Sequence, residues 1–145
     1  MFQFCSLLLA GALCIVSAAE AGPFGGLFIP DSEYGAVERR ALEGSAEDAF
    51  RMASHFEAGF QYDKAIFWGT IAAENGSQIG AFNLGHRLSQ SPDPKQRIRA
   101  RFWLQKVIDR GGDTGRIARN RLTEIDRSEG LGGGAVVFPE RYPKW

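Results

Sequence analysis

Lys64-Ala65-Ile66-Phe67-Trp68, followed after three residues by Ala72-Ala73-Glu74-Asn75-Gly76, returns further along the chain as Arg99-Ala100-Arg101-Phe102-Trp103 and Val107-Ile108-Asp109-Arg110-Gly111. A second match stands ahead of each copy. Ala49-Phe50-x-Met52-Ala53-x-x-Phe56 precedes the first, and Ala81-Phe82-x-Leu84-Gly85-x-x-Leu88 precedes the second. Equivalent positions lie 32 apart in the leading segments (Phe50 and Phe82) and 35 apart in the trailing ones (Phe67 and Phe102), so three residues are inserted between the paired segments. A third copy begins directly after the second. Self-similarity at this period marks a stack of helix-turn-helix units, none of which can bury its apolar face alone.

Working outward, Gly44-Ser45, Gly76-Ser77 and Gly112-Asp113 divide the units. A glycine there accommodates a left-handed helix end, and the residue after it carries the oxygen that caps the next helix. Ser45 with Asp48 also fits a capping box. The spacing predicts a first helix from the Asp31-Ser32 cap through Glu43, with Tyr34, Val37, Ala41 and Leu42 on one stripe. Helix two is expected over 46–57 around Ala49, Met52, Ala53 and Phe56, and helix three over 63–74 around Ala65, Trp68 and Ala72. Helix four is expected over 78–89 around Ala81, Leu84, Gly85 and Leu88. Asp93 and Pro94 open helix five, which runs to Arg110 around Ala100, Trp103, Leu104, Val107 and Ile108. Helix six is expected over 114–127, burying Ala118, Leu122 and Ile125 and closing the stack with a polar outer face.

A small residue and Leu or Met on one helix, then (Lys/Arg)-Ala-x-x-Trp and Ala-Ala-Glu-x-Gly on the next, resemble the Sel-one-like repeat, a relative of the tetratricopeptide repeat. The resemblance covers about 85 residues, from Gly44 to Arg127. It implies an all-α, short right-handed solenoid of about six helices that binds other proteins. Val107-Ile108 stands where the pattern has Ala-Ala, which implies a looser junction after the second copy. Small exported chains of this kind resemble the immunity proteins encoded beside antibacterial type VI secretion phospholipase effectors.

The ends differ from the middle. Residues 2–19 are almost wholly apolar and finish in Ser17-Ala18-Ala19, which reads as a secretory signal peptide cleaved after Ala19 or Ala21 and points to a periplasmic or secreted protein. The run is too short for a membrane span, so no stable insertion is expected after cleavage. Cys5 and Cys14 both fall in this segment, and Gly11-Ala12-Leu13 is a poor lipidation context for Cys14. The mature chain then has no thiol and no disulfide. The expected organisation is a signal peptide at 1–21, an irregular Gly/Pro-rich lead at 22–30 that docks Phe24, Leu27 and Phe28 on the first helix, and a solenoid at 31–128. A glycine tether and an apolar, extended tail follow at 129–145.

Counted from residue 22 there are 16 acidic and 17 basic side chains, but residues 22–94 hold 10 acids and 5 bases while residues 95–127 hold 4 and 10. This predicts an acidic front and a basic back. No nucleic-acid partner is expected for an exported chain.

Nothing in the residues suggests chemistry. His55 and His86 stand in no metal spacing, no nucleophile elbow or phosphate loop occurs, and the paired carboxylates Glu47-Asp48 and Glu124-Asp126 fit helix starts or solvated faces. The expectation is a non-enzymatic protein with no cofactor and no metal, monomeric when free. Phe50 and Phe82 share one repeat position on the side that faces the groove in this repeat class, where either packing or binding would use them. With Glu47, Ser54, His86, Arg116 and Asn120 they make an expected concave strip running from acidic to basic, with Phe82 and Arg116 as its anchors. The expected partner is a protein, either a toxin effector that the chain blocks or an envelope component that it joins to others as a scaffold or adaptor.

Overall fold

The computed structural model describes residues 27–130, and these are helical throughout apart from short connections. Six helices follow one another: α1 (Asp31–Leu42), α2 (Ala46–Ala58), α3 (Tyr62–Glu74), α4 (Gln78–Ser89), α5 (Pro94–Arg110) and α6 (Gly112–Ser128). Each packs mainly on its neighbours in sequence, and α2, α4 and α6 also meet in turn along one side. This is the all-α repeat stack that the duplicated segments predict. The expected signal peptide, both cysteines, Phe24 and the apolar tail lie outside the described residues.

The junctions are built as the glycines require. Gly44 and Gly76 have φ of +104° and +100°, a region that costs a side-chain-bearing residue about 1–2 kcal/mol. Their backbone then turns so that Ser45 N–H reaches the Arg40 carbonyl at 2.9 Å and Ser77 N–H reaches the Ala72 carbonyl at 2.8 Å, satisfying helix-end acceptors. The hydroxyls of Ser45 and Ser77 accept from the N–H of Asp48 and Gly80, and Asp93 caps α5 through Lys95 N–H. Asp48 does not complete a capping box. Its carboxylate takes two hydrogen bonds from Arg40, at 2.8 and 2.7 Å, and one from the Ser45 hydroxyl at 2.9 Å. The Arg40 hydrogen bonds hold its pKa down to about 2, against the opposing pull of burial.

The third boundary differs from expectation. Gly111 alone separates α5 from α6, with φ +74°, and α6 begins at Gly112, so Asp113 is a first-turn residue rather than a cap. Gly111 is the true counterpart of Gly76 under the 35-residue offset. Nor is this junction loose. A Cβ on Gly115 would stand 3.1 Å from the Val107 carbonyl oxygen, so α6 lies as close to α5 as a glycine allows. Gln78 bridges from α4 to the Val107 and Gly111 carbonyls at 3.3 and 2.9 Å.

Two apolar clusters fill the stack. The first gathers Ile29, Val37, Ala41, Met52, Phe56 and Trp68, and the second gathers Leu84, Leu88, Leu104, Val107, Ala118 and Ile125. Trp68 is buried, but its counterpart Trp103 is half-buried, as are Ala53, Ile108 and Leu122. Leu42 leaves its expected stripe and is 64% exposed, because it is the last residue of α1 and the chain turns away at Gly44. In the lead, Ile29 is the residue that enters the core. Its N–H donates to His55 Nδ1 at 3.1 Å, while Phe28 meets the His55 ring edge-on at 5.7 Å. The lead therefore docks on α2 as well as α1.

Part of the basic back is spent on internal ties. Arg101 is 4% exposed and donates to Asp126 at 3.0 Å and Glu129 at 2.8 Å, and Arg97 pairs with Glu129 at 3.0 Å. Arg110 donates to the Gly76 carbonyl at 2.8 Å, and Arg121 to Glu124 at 3.2 Å and Ser89 at 3.3 Å. Arg97, Arg101, Arg110 and Arg121 thus spend charge on neighbouring segments, while Lys95, Lys106, Arg110, Arg116, Arg119 and Arg127 remain exposed.

Candidate protein-binding groove

The groove lies where α3 passes beneath the paired α2 and α4. α2 contributes Phe50, Ala53, Ser54, Glu57 and Ala58; α3 contributes Ala65, Ile66 and Gly69; α4 contributes Gly80, Asn83, Leu84, His86 and Arg87; and Leu27 of the lead touches the same space. The volume is about 330 Å³. That lies near the lower end of the range in which proteins hold small ligands, room for one or two bulky side chains.

Small residues line it, and Gly69 is one of them. Gly69 sits in mid-helix on the floor, where the atoms nearest an added Cβ would be the Leu84 Cβ at 3.7 Å, Leu84 Cδ1 at 3.8 Å and the Ala53 Cβ at 3.9 Å. These are ordinary contacts, so no crowding demands glycine, which costs a helix interior about 0.5–1 kcal/mol relative to alanine. One repeat on, the matching residue is Leu104, fully buried against Gly85, whose own Cβ would stand 2.9 Å from the Leu104 Cγ. Leu104 fills between α4, α5 and α6 the space that Gly69 leaves empty between α2, α3 and α4. Gly80 works differently: a Cβ there would lie 3.0 Å from the Ala72 Cβ and 2.9 Å from the Ser77 Oγ, so the glycine lets α4 rest directly on α3.

Polar groups stand at the ends. Glu57 and Arg87 form an ion pair from α2 to α4, and the Arg87 guanidinium also lies over the Tyr62 ring, 4.1 Å from its centroid. Beyond it, in the turn from α2 to α3, Phe60 is 76% exposed at φ +58° and meets Tyr62 edge-on at 6.2 Å. His86 stacks on Phe82 at 6.4 Å and shares a contact of 3.0 Å between its Nε2 and the Gln90 amide. Burial pushes the His86 pKa below the usual value, Arg121 adds to that and Glu124 opposes it. At neutral pH the imidazole is uncharged, and Glu57 and Arg87 cancel, so the groove carries no net charge.

Of the expected strip, Phe50, Ser54 and His86 line this space. Glu47, Phe82, Arg116 and Asn120 do not. Phe82 is half-buried against the second cluster and reaches the groove only through His86. Arg116 is exposed on α6 and pairs with Asp113 at 3.3 Å. A continuous strip from α2 to α6 does not form, because Leu104 closes the space between α4 and α6. The sequence reading missed Ala53, Ile66, Gly69, Leu84 and the Glu57–Arg87 pair as groove residues. Comparing residue 69 with residue 104 across the repeats holds the signal that finds them.

Among the described residues, no group of three or more His, Cys, Asp or Glu side chains is placed to hold a metal, and no helix is long and apolar enough to cross a membrane. Comparisons with family models, curated proteins and solved structures returned no match.

Proposed function

We propose that this chain is a protein-binding module of the Sel-one-like kind, and that it acts as an exported immunity protein which covers a phospholipase-type toxin of the type VI secretion class. The observation that carries the binding reading is the open, uncharged groove above Gly69. A buried pocket that accepts a bulky side chain from a partner is the usual core of a protein interface, and aromatic residues around it are the usual anchors. Here Phe60 and Tyr62 stand beside the Arg87 end, exposed and close together. Phe60 holds a left-handed backbone conformation at a cost of about 1–2 kcal/mol while contributing little to the core. Residues placed so against their own stability are candidates for contact with another molecule. Blocking would then be steric: an apolar residue of the toxin enters the groove, and the stack shields its active site from lipid.

Capture from periplasm by the wild-type protein and by Gly69→Leu tests this. The reading requires that wild type retain a phospholipase-type protein, that Gly69→Leu lose it with helicity intact, and that cells producing wild type alone survive the toxin. Retention of the same proteins by both forms removes the groove as the site. Retention of envelope assembly components in place of a toxin replaces immunity with scaffolding.

A further inference from the structure

Both ends of the described chain leave the stack at the edge where Glu57 and Arg87 close the groove. At the front, Ile29 N–H binds His55 in the last turn of α2, and Leu27 lines the groove. At the back, Glu129 is held by Arg97 and Arg101 from the first half of α5, and Arg97 also donates to the Ser91 and Pro92 carbonyls just beyond α4. Arg121 donates to Ser89 at the end of α4 and, with Glu124, acts on His86 in the groove wall. The last turns of α6 therefore run beside the end of α4 that carries His86 and Arg87.

Beyond Gly130 the sequence has 15 more residues, Gly132-Gly133-Gly134 and then the uncharged Ala135-Val136-Val137-Phe138-Pro139 before Glu140-Arg141. Phe138 is eight residues past Gly130, a reach of about 26 Å at ~3.3 Å per residue. The groove wall from Gly80 to Arg87 is only about 10 Å long at ~1.5 Å per residue. Pro139 also favours an extended backbone at Phe138. An uncharged groove suits this uncharged stretch, and a short glycine tether presents it at an effective concentration on the order of millimolar.

We propose that the uncharged stretch 135–139 of this chain docks on the groove in the free protein, with Phe138 as its anchor, so that a partner must displace it. This rests on the groove being the binding site. The tail is then a built-in competitor: it covers apolar surface until a partner with a better anchor arrives, and it sets a threshold affinity for that partner.

The test uses full-length protein with Phe138→para-trifluoromethylphenylalanine, read by fluorine NMR. The expected resonance is displaced from that of the free peptide and insensitive to exchange of water for heavy water. Plugging the groove from either wall, with Gly69→Leu or Ala53→Leu, returns it to the free-peptide position. A synthetic peptide of residues 134–145, titrated onto full-length Phe138→Ala, binds about tenfold tighter than to wild type, because the competitor in cis is gone. A resonance at the free-peptide position that neither plug moves overturns the proposal. So does a displaced resonance that depends on protein concentration, which would assign the groove to the tail of a second copy. Equal binding of the peptide to wild type and Phe138→Ala removes self-occupancy but leaves the groove reading standing. The groove reading falls only when partner capture survives both plugs.

Discussion

The two repeats differ most one turn after the alanine that begins each core stripe, where α3 has Gly69 and α5 has Leu104. Around Gly69 three helices enclose about 330 Å³ of open space, bounded by Phe50, Ile66 and Leu84. Around Leu104 the space is filled. The neighbouring position repeats the contrast: Ile66 lines the open groove, whereas Arg101 is buried and spends its charge on Asp126 and Glu129. The same fold thus carries one repeat that is closed and ion-paired and one that is left open at the expense of helix propensity. A stack permits such a contrast between repeats because each unit packs mainly on its neighbours.

The strongest way to break this contrast is to make the second repeat resemble the first. Leu104→Gly removes a fully buried side chain and adds a helix-interior glycine, an expected loss of about 3–6 kcal/mol in chemical denaturation. Against a total of about 5–15 kcal/mol for a domain, that leaves a marginal fold. A loss below about 1 kcal/mol would mean that Leu104 is not what closes the α4–α6 space.

Next in size is the tryptophan pair. Trp68→Ala should cost about 3–5 kcal/mol as a large-to-small core change, and Trp103→Ala roughly half of that, since Trp103 is only half-buried. Equal melting shifts at both sites would show that the two repeats use this position alike.

The glycines sharpen the comparison by sign. Gly69→Ala should raise stability by up to about 1 kcal/mol, because alanine is the better helix former and its Cβ meets only ordinary contacts. Gly85→Ala should lower it by about 1–3 kcal/mol, as overpacking does, because its Cβ would stand 2.9 Å from the Leu104 Cγ. Thermal melting of the two variants side by side reads this directly.

The pH dependence carries the smallest effects. His86 takes its proton less readily in the folded chain than unfolded, so below about pH 6.5 the unfolded state binds more protons and stability declines; His86→Gln should remove that slope. Asp48, with its pKa lowered from 3.8 to about 2, contributes stability above pH 3.8 that is lost as pH falls toward 2, and Asp48→Asn should abolish this second window. Denaturation midpoints measured across pH separate the two, the first reporting the groove wall and the second the α1–α2 junction.

Much of the fold was legible because its signals are local. A glycine that needs positive φ, a serine whose hydroxyl meets an N–H three residues on, and Pro94 behind Asp93 each act within one helical turn, so α4 and α5 begin and end where the sequence places them. Misreadings came where a neighbour decides. Leu42 has a core residue's chemistry but sits where the chain turns away, and Asp113 could cap a helix but is bypassed when Gly111 makes the whole connection. Of the expected strip, Phe50, Ser54 and His86 line the groove, whereas Phe82, at the repeat position of Phe50, and Arg116 on α6 are absent from its walls.

By itself, then, the sequence determined the number of helices, their order, the serine and aspartate caps of α2, α4 and α5 and most of the faces that meet, because repeated apolar spacing and turn residues constrain backbone near at hand. Tertiary structure alone decided that Trp103 is half-buried, that Arg101 is an internal tie and that the space over Gly69 is open while the space over Leu104 is not. A cavity belongs to no residue: its volume is the difference between what three helices enclose and what their side chains fill, and that difference exists only once the helices are packed.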